Sequence, residues 1–199
     1  MKLAVPFFKQ TTLLNCGPTA LKMVLEYLGD SFSIKYLEEK TGIKEGKALY
    51  TIQIAIAAAL MGYKAKFYSK HLLFNEDNMK FEFYKDYSEM DMKTSIELAD
   101  EAKKLGIKLE ERTLQLSELL SHVKNDSVPI IILNWNVLTN QEGYRGHFVP
   151  IVGYDTENIL IHNQGLKDSQ AFMPIKREIF ELARKSEGTD EDIVIIYKK

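Results

Sequence analysis

The sequence predicts an α+β fold, with helices first and an antiparallel sheet after them, and three observations carry that reading. Apolar residues recur at helical spacing through most of the chain up to Gly106. Near-continuous apolar runs of strand length, residues 129–135, 147–155 and 158–163, follow. The last two runs are separated only by Asp155-Thr156-Glu157, as in a hairpin. Segregated helices and strands mark α+β rather than an alternating α/β order.

Residues 5–8 read as a short extended lead-in to a loop that carries Gln10. Pro18 then suits the first turn of a helix, where a missing N–H is no loss and the fixed φ is already helical. Ala20, Leu21, Val24, Leu25 and Leu28 continue it and Gly29 stops it, so Cys16 falls at a helix N-terminus. A second helix spans 33–41, with Ser33 as its cap and Gly42 as its stop. Thr51 caps a third, in which Ile52, Ile54, Ala55, Ile56, Ala58, Ala59 and Leu60 are apolar nearly all round, so it must be buried on most sides. Residues 63–68 alternate as a strand. The stretch 69–92 is the least regular and reads as a lid or insertion, with 80–84 as an edge strand. An amphipathic helix over 94–105, a short helix over 117–124 and a turn at Asn125-Asp126-Ser127 lead to a central strand over 129–135. The hairpin, a helix over 176–185 and a strand over 193–197 complete the chain. With no internal repeat and no low-complexity linker, residues 1–199 read as a single domain.

At 199 residues the chain can bury a sizeable core, and 45% hydrophobic with 27% charged residues is the profile of a soluble globular protein. Lys plus Arg number 26 against 28 Asp plus Glu, a formal charge of −2 with no basic block, which argues against a nucleic-acid partner. Pro6 breaks the first apolar run before it reaches the length of a signal-peptide core, and no stretch approaches membrane-spanning length. One cysteine excludes an intramolecular disulfide. The expectation is a cytoplasmic protein with no membrane or nucleic-acid partner.

The lone Cys16 is the first candidate for chemistry. The unpaired N–H groups and positive dipole end of a helix N-terminus favour the thiolate, the nucleophilic form. Gln10 lies on a loop that can return its carboxamide N–H beside the sulfur, where a tetrahedral intermediate needs a donor. An imidazole must take the thiol proton and return it to the leaving group. Of the four histidines, His71 and His122 lie in polar stretches and His162 lies inside the second hairpin strand. His147 follows Gly143-Tyr144-Arg145-Gly146, a loop able to place it at the mouth of a sheet. A three-residue hairpin loop centred on Asp155 sets position 147 opposite 163, so that Asn163 shares its face and orients the imidazole; a two-residue loop would shift the pairing by one. No local Cys or His pair has metal-ligand spacing, so neither metal nor cofactor is expected. Asp91, Glu97, Asp100, Glu101, Glu110 and Glu111 read as solvated helix faces.

Val5-Pro6-Phe7-Phe8-Lys9-Gln10, Asn15-Cys16-Gly17-Pro18-Thr19-Ala20 and the run Gly146-His147-Phe148-Val149-Pro150-Ile151-Val152-Gly153-Tyr154-Asp155 resemble the peptidase C39-like family of papain-fold cysteine peptidases. The resemblance implies a papain-like fold with Cys16 as nucleophile, His147 as general base then acid, Gln10 as oxyanion donor and the residue ending the next strand, here Asn163, as the orienter. The family often has Asp followed by Pro at that last place; this chain has Asn163-Gln164. Some members are leader peptidases fused to transporters. With no membrane span and no ATP-binding motif, a free-standing member is implied here.

Three functions follow. The first is a thiol-dependent peptidase or amidohydrolase acting on a peptide or amide through an acyl-enzyme thioester. The second is an acyl or peptidyl transferase using the same thioester. The third is a papain-like peptide-binding module without turnover, motivated by the Asn163-Gln164 ending.

Overall fold

The computed structural model describes residues 1–199. Helix α1 (Cys16–Leu28) buries ten of its thirteen residues and ends at Gly29, whose φ of 130° is a conformation side chains resist. In α2 (Ile34–Thr41) the Ser33 hydroxyl accepts from the Tyr36 N–H at 3.2 Å, and Gly42 closes the helix in the left-handed region at φ 66°. In α3 (Thr51–Leu60) seven of ten residues are buried, as its all-round apolar character requires. Its cap is Tyr50 rather than Thr51: the Tyr50 N–H donates to Gln53 Oε1 at 2.9 Å.

Strand β1 (Lys64–Ser69) is followed by a tight helical turn (Glu76–Lys80) and by α4 (Glu82–Tyr87). The edge strand expected over 80–84 is therefore not present. Helical geometry brings Phe83, Tyr84 and Phe81 together around Tyr144, with ring centroids 5.2–5.5 Å apart, and this aromatic packing outweighs the strand propensity of the rings. Helix α5 (Met92–Lys104) starts at Asp91, whose carboxylate accepts from the Thr94 N–H at 2.7 Å. Then come β2 (Lys108–Glu111), α6 (Leu116–Ser121), the wholly buried β3 (Ser127–Asn134), α7 (Trp135–Leu138), β4 (Gly146–Tyr154), β5 (Asn158–Asn163), β6 (Gln170–Lys176), α8 (Arg177–Lys185) and β7 (Ile193–Tyr197).

The seven strands form one sheet in the order β2-β1-β7-β3-β4-β5-β6. Every neighbouring pair is antiparallel except β1 with β2. Helix α1 packs on β4 and β3, and α3 packs on β1 and β7. A contiguous cluster of 46 buried hydrophobic residues runs from Leu3 to Ile196, so the helical half and the sheet share one core. The α+β class expected from the sequence is the observed one.

The hairpin of β4 and β5 differs from expectation in a way that matters for the site. Tyr154 pairs with Ile159 and Gly153 with Leu160. Continued, that register would set Asn163 opposite Pro150, on the face away from His147. Instead Ile151 pairs with Ile161, leaving Val152 as an extra residue on β4. This bulge shifts the pairing by one, sets Asn163 opposite Val149 and returns it to the face of His147, one diagonal step along the ladder.

Candidate functional site

Cys16 opens α1 and is 8% exposed. The backbone N–H groups of Phe148, Gly17 and Cys16 itself face its sulfur and favour the thiolate. Neither Cys16 nor Gly17 donates its N–H to a backbone carbonyl. They are orphan donors of a helix start, at the same end of α1 as the thiol. At Gly17 a Cβ would meet Leu49 Cδ2 at 2.6 Å, so any larger residue there must displace the Leu49 side chain.

His147 is buried on β4 beneath Trp135, whose ring meets the imidazole edge to face at 4.7 Å. Its Nε2 lies 3.2 Å from Asn163 Oδ1. The Asn163 amide is itself fixed: Nδ2 donates to the Asp168 carbonyl at 2.8 Å, and the Gly165 N–H donates to Oδ1 at 3.1 Å. With Oδ1 held as an acceptor, Nε2 carries the proton and Nδ1 keeps its lone pair.

Cys16, His147, Asn163 and Gln10 line one cavity of about 750 Å³. The structure thus brings together all four residues singled out from the sequence. Gln10 is differently engaged from the expectation. Its Nε2 donates to the carbonyls of Thr12 at 2.9 Å and Leu13 at 3.2 Å within its own loop, and its Oε1 is buried without a partner. Asn15 shapes that loop, accepting from the N–H groups of Thr11 and Thr12 and donating to Glu38 at 2.7 Å.

Gln164 is the residue sequence reasoning passed over. It is fully buried, and its Nε2 donates to the carbonyl of Cys16 at 3.0 Å and to that of Phe148. Its own carbonyl accepts from the Gln10 N–H at 2.9 Å. One side chain therefore ties the start of α1 to β4 beside His147, and its backbone ties in the Gln10 loop. Its position directly after Asn163 was the only available signal.

The electrostatics correct one expectation. Burial pushes the Cys16 thiol above its ordinary pKa, against the three N–H groups that pull the other way. A helix N-terminus contributes about 0.3–2 kcal/mol, whereas full burial of a charge shifts a pKa by up to about 3–5 units, or roughly 4–7 kcal/mol, so desolvation wins. Burial likewise holds His147 down at about 4, with Asn163 opposing and the Arg145 charge assisting. At neutral pH the resting pair is a thiol beside a neutral imidazole. No group of three or more His, Cys, Asp or Glu side chains converges as a metal-ion site. No helix is long and apolar enough to cross a membrane.

Known proteins bear on this site in two ways. A family model described as guanylylate cyclase matches residues 5–196. Guanylyl cyclase 1 of Arabidopsis thaliana is 25% identical over 207 aligned positions, covering 96% of this chain and 75% of that protein. Among solved structures, a Bacillus anthracis protein described as a C39-like peptidase superposes with a TM-score of 0.60 at 18% identity, covering 100% of this chain and 98% of that one. The peptidase domain of Streptococcus ComA, a bi-functional ABC transporter, superposes at 0.55 and 14% identity, covering 98% and 99%. The fold is that of C39-like, papain-fold peptidase domains.

Proposed function

The chain belongs to the guanylylate cyclase family, and from its C39-like peptidase fold and the geometry of the site we propose a thiol-dependent peptidase or amidohydrolase. The observation that carries the proposal is the His147–Asn163 hydrogen bond, which leaves Nδ1 free in a cavity shared with the thiol of Cys16. As a substrate carbonyl carbon meets Sγ, the thiol proton passes to His147 Nδ1 and the carbonyl oxygen takes the negative charge. The N–H groups now turned on the sulfur are placed to receive that charge, and Gln10 joins them once its carboxamide leaves the Thr12 and Leu13 carbonyls. His147 then protonates the leaving amine, and water resolves the thioester with Asn163 holding the imidazole throughout.

The family name favours a second reading, cyclisation of a guanine nucleotide. A triphosphate needs concentrated positive charge, and the cavity lining offers only Arg145 and Lys167, both exposed at its rim. The test is treatment with a peptide vinyl sulfone and intact mass measurement, alongside incubation with GTP. The proposal expects one adduct on Cys16, lost in His147→Ala, together with peptide turnover lost in Cys16→Ala. Cyclic GMP formation that survives Cys16→Ala, or absence of both adduct and turnover, overturns it. Product masses with added amine separate hydrolysis from transfer.

A further inference from the structure

The cavity that holds the thiol is also lined by Tyr50, Phe83, Tyr84, Tyr87 and Asp192, and the Asp192 charge is felt by the Tyr84 hydroxyl. Besides the thiol, the tyrosines and the neutral His147, the ionisable residues of the lining are Arg145, Lys167, Asp168 and Asp192. Arg145, Lys167 and Asp168 are exposed at the rim, which leaves Asp192 as the one carboxylate inside. Its Oδ1 is buried with no hydrogen-bond partner, although buried polar atoms are almost always paired. The hydroxyls of Ser69 and Thr51 lie against the carboxyl, and the Asp190 carboxylate adds like charge nearby.

The backbone around Asp192 is strained in a manner that fixes it. Gly188, Asp190 and Glu191 all have positive φ, at 89°, 47° and 53°. Glu191 gains nothing from the left-handed region, which suits Gly, Asn and Asp. The Asp192 N–H donates to Thr189 at 3.0 Å, and its carbonyl accepts from Ile132 at 3.3 Å. Strain held this firmly at a cavity points to use.

We infer that Asp192 is a specificity residue that receives the guanidinium of an arginine side chain in the substrate of the Cys16 site. The inference rests on the peptidase reading. A planar guanidinium presents two parallel N–H groups to a carboxylate and stacks on aromatic faces, and both complements are present in this cavity. An ammonium needs three acceptors. The Tyr50 hydroxyl oxygen is engaged by Ser88 and the Met90 N–H, and the Tyr84 hydroxyl donates to the Gly188 carbonyl, so these two hydroxyls already have partners. Burial also pushes the Asp192 carboxyl up to about 7, and a guanidinium supplies the compensation its ionised form lacks.

Binding and turnover are read separately. Cys16→Ala protein is titrated calorimetrically with paired peptides carrying arginine or its uncharged isostere citrulline, and the wild type is assayed for cleavage of the same pair. The arginine peptide should bind and be cleaved about 10- to 100-fold better, the range of a charge-assisted bidentate pair, and Asp192→Asn should abolish the difference. Cleavage without arginine preference overturns the inference and leaves the peptidase reading standing. Arginine-selective, Asp192-dependent binding without cleavage does the reverse. Asp192-dependent binding of GMP with no affinity for either peptide also overturns it. The citrulline comparison needs no mutant, so an Asp192→Asn protein that failed to fold would leave the test intact.

Discussion

Replacing Asp192 with Asn should stabilise the protein, and by an amount that grows with pH. The Asp192 carboxyl titrates near 7 in the folded protein and near 3.8 when exposed. Between those values the unfolded chain has released the proton and the folded chain still binds it, so folding becomes less favourable as pH rises. A displacement of about 3 units at 1.36 kcal/mol each gives a full penalty of about 4 kcal/mol above pH 7. About 1 kcal/mol of it is already present at pH 4.5, so wild type and Asp192→Asn should diverge by about 3 kcal/mol between pH 4.5 and 8.5. His147 acts in the opposite sense. Its pKa is lowered to about 4, so stability rises with pH from about 4 to 6.5; His122 and His162 are lowered as well. All three histidines are common to both proteins and cancel in the difference. Urea unfolding reads it directly, as a gap between the two midpoints that widens by about 1.5 M at a slope of about 2 kcal/mol per M. A gap of the same size at both pH values would refute the reasoning.

Gln164→Leu leaves the carbonyls of Cys16 and Phe148 without their donor, at a cost of roughly 2–4 kcal/mol in urea unfolding. It should also slow Cys16 labelling by vinyl sulfone; a variant as stable and as reactive as wild type removes Gln164 from the site's scaffold. The neutral resting pair predicts that Cys16 reacts with iodoacetamide along a titration centred above that of an ordinary thiol. Rapid alkylation on a plateau between pH 5 and 7 would instead show a preformed ion pair.

What the sequence made legible were features with local causes. Pro18 and Gly29 bracket α1, Ser33 and Gly42 bracket α2, and the apolar run through Ile130 to Leu133 forms a buried central strand. The features that stayed hidden depend on distant partners. Strand β2 is a short, charged edge that exists because β1 lies beside it, and β6 carries Pro174, which marks it only as something other than a central strand. Asn163 was placed beside His147 through a three-residue loop, but the longer connection and the Val152 bulge compensate for one another. No pattern in the alternating apolar residues of 147–153 announces a bulge. Asp192 was invisible because neither its burial nor its missing partner is a property of the local sequence.

Asn163 and the burial of Cys16 belong to a single electrostatic arrangement. A carboxylate at position 163 would favour the imidazolium, and an imidazolium in turn needs a thiolate beside it. Both charges would then have to be held in a cavity that leaves Cys16 8% exposed and His147 9% exposed, where desolvation opposes an ion pair. An amide at 163 orients the ring through Oδ1 while adding no charge, and the pair rests neutral. On the proposed mechanism, charge then appears only when sulfur attacks a carbonyl, and the negative part of it passes at once toward the Cys16 and Gly17 N–H groups at the start of α1. The departure from Asp to Asn at position 163 is therefore consistent with turnover. It moves the formation of the nucleophile from the resting protein to the substrate complex, which is also where a guanidinium would hold Asp192 ionised.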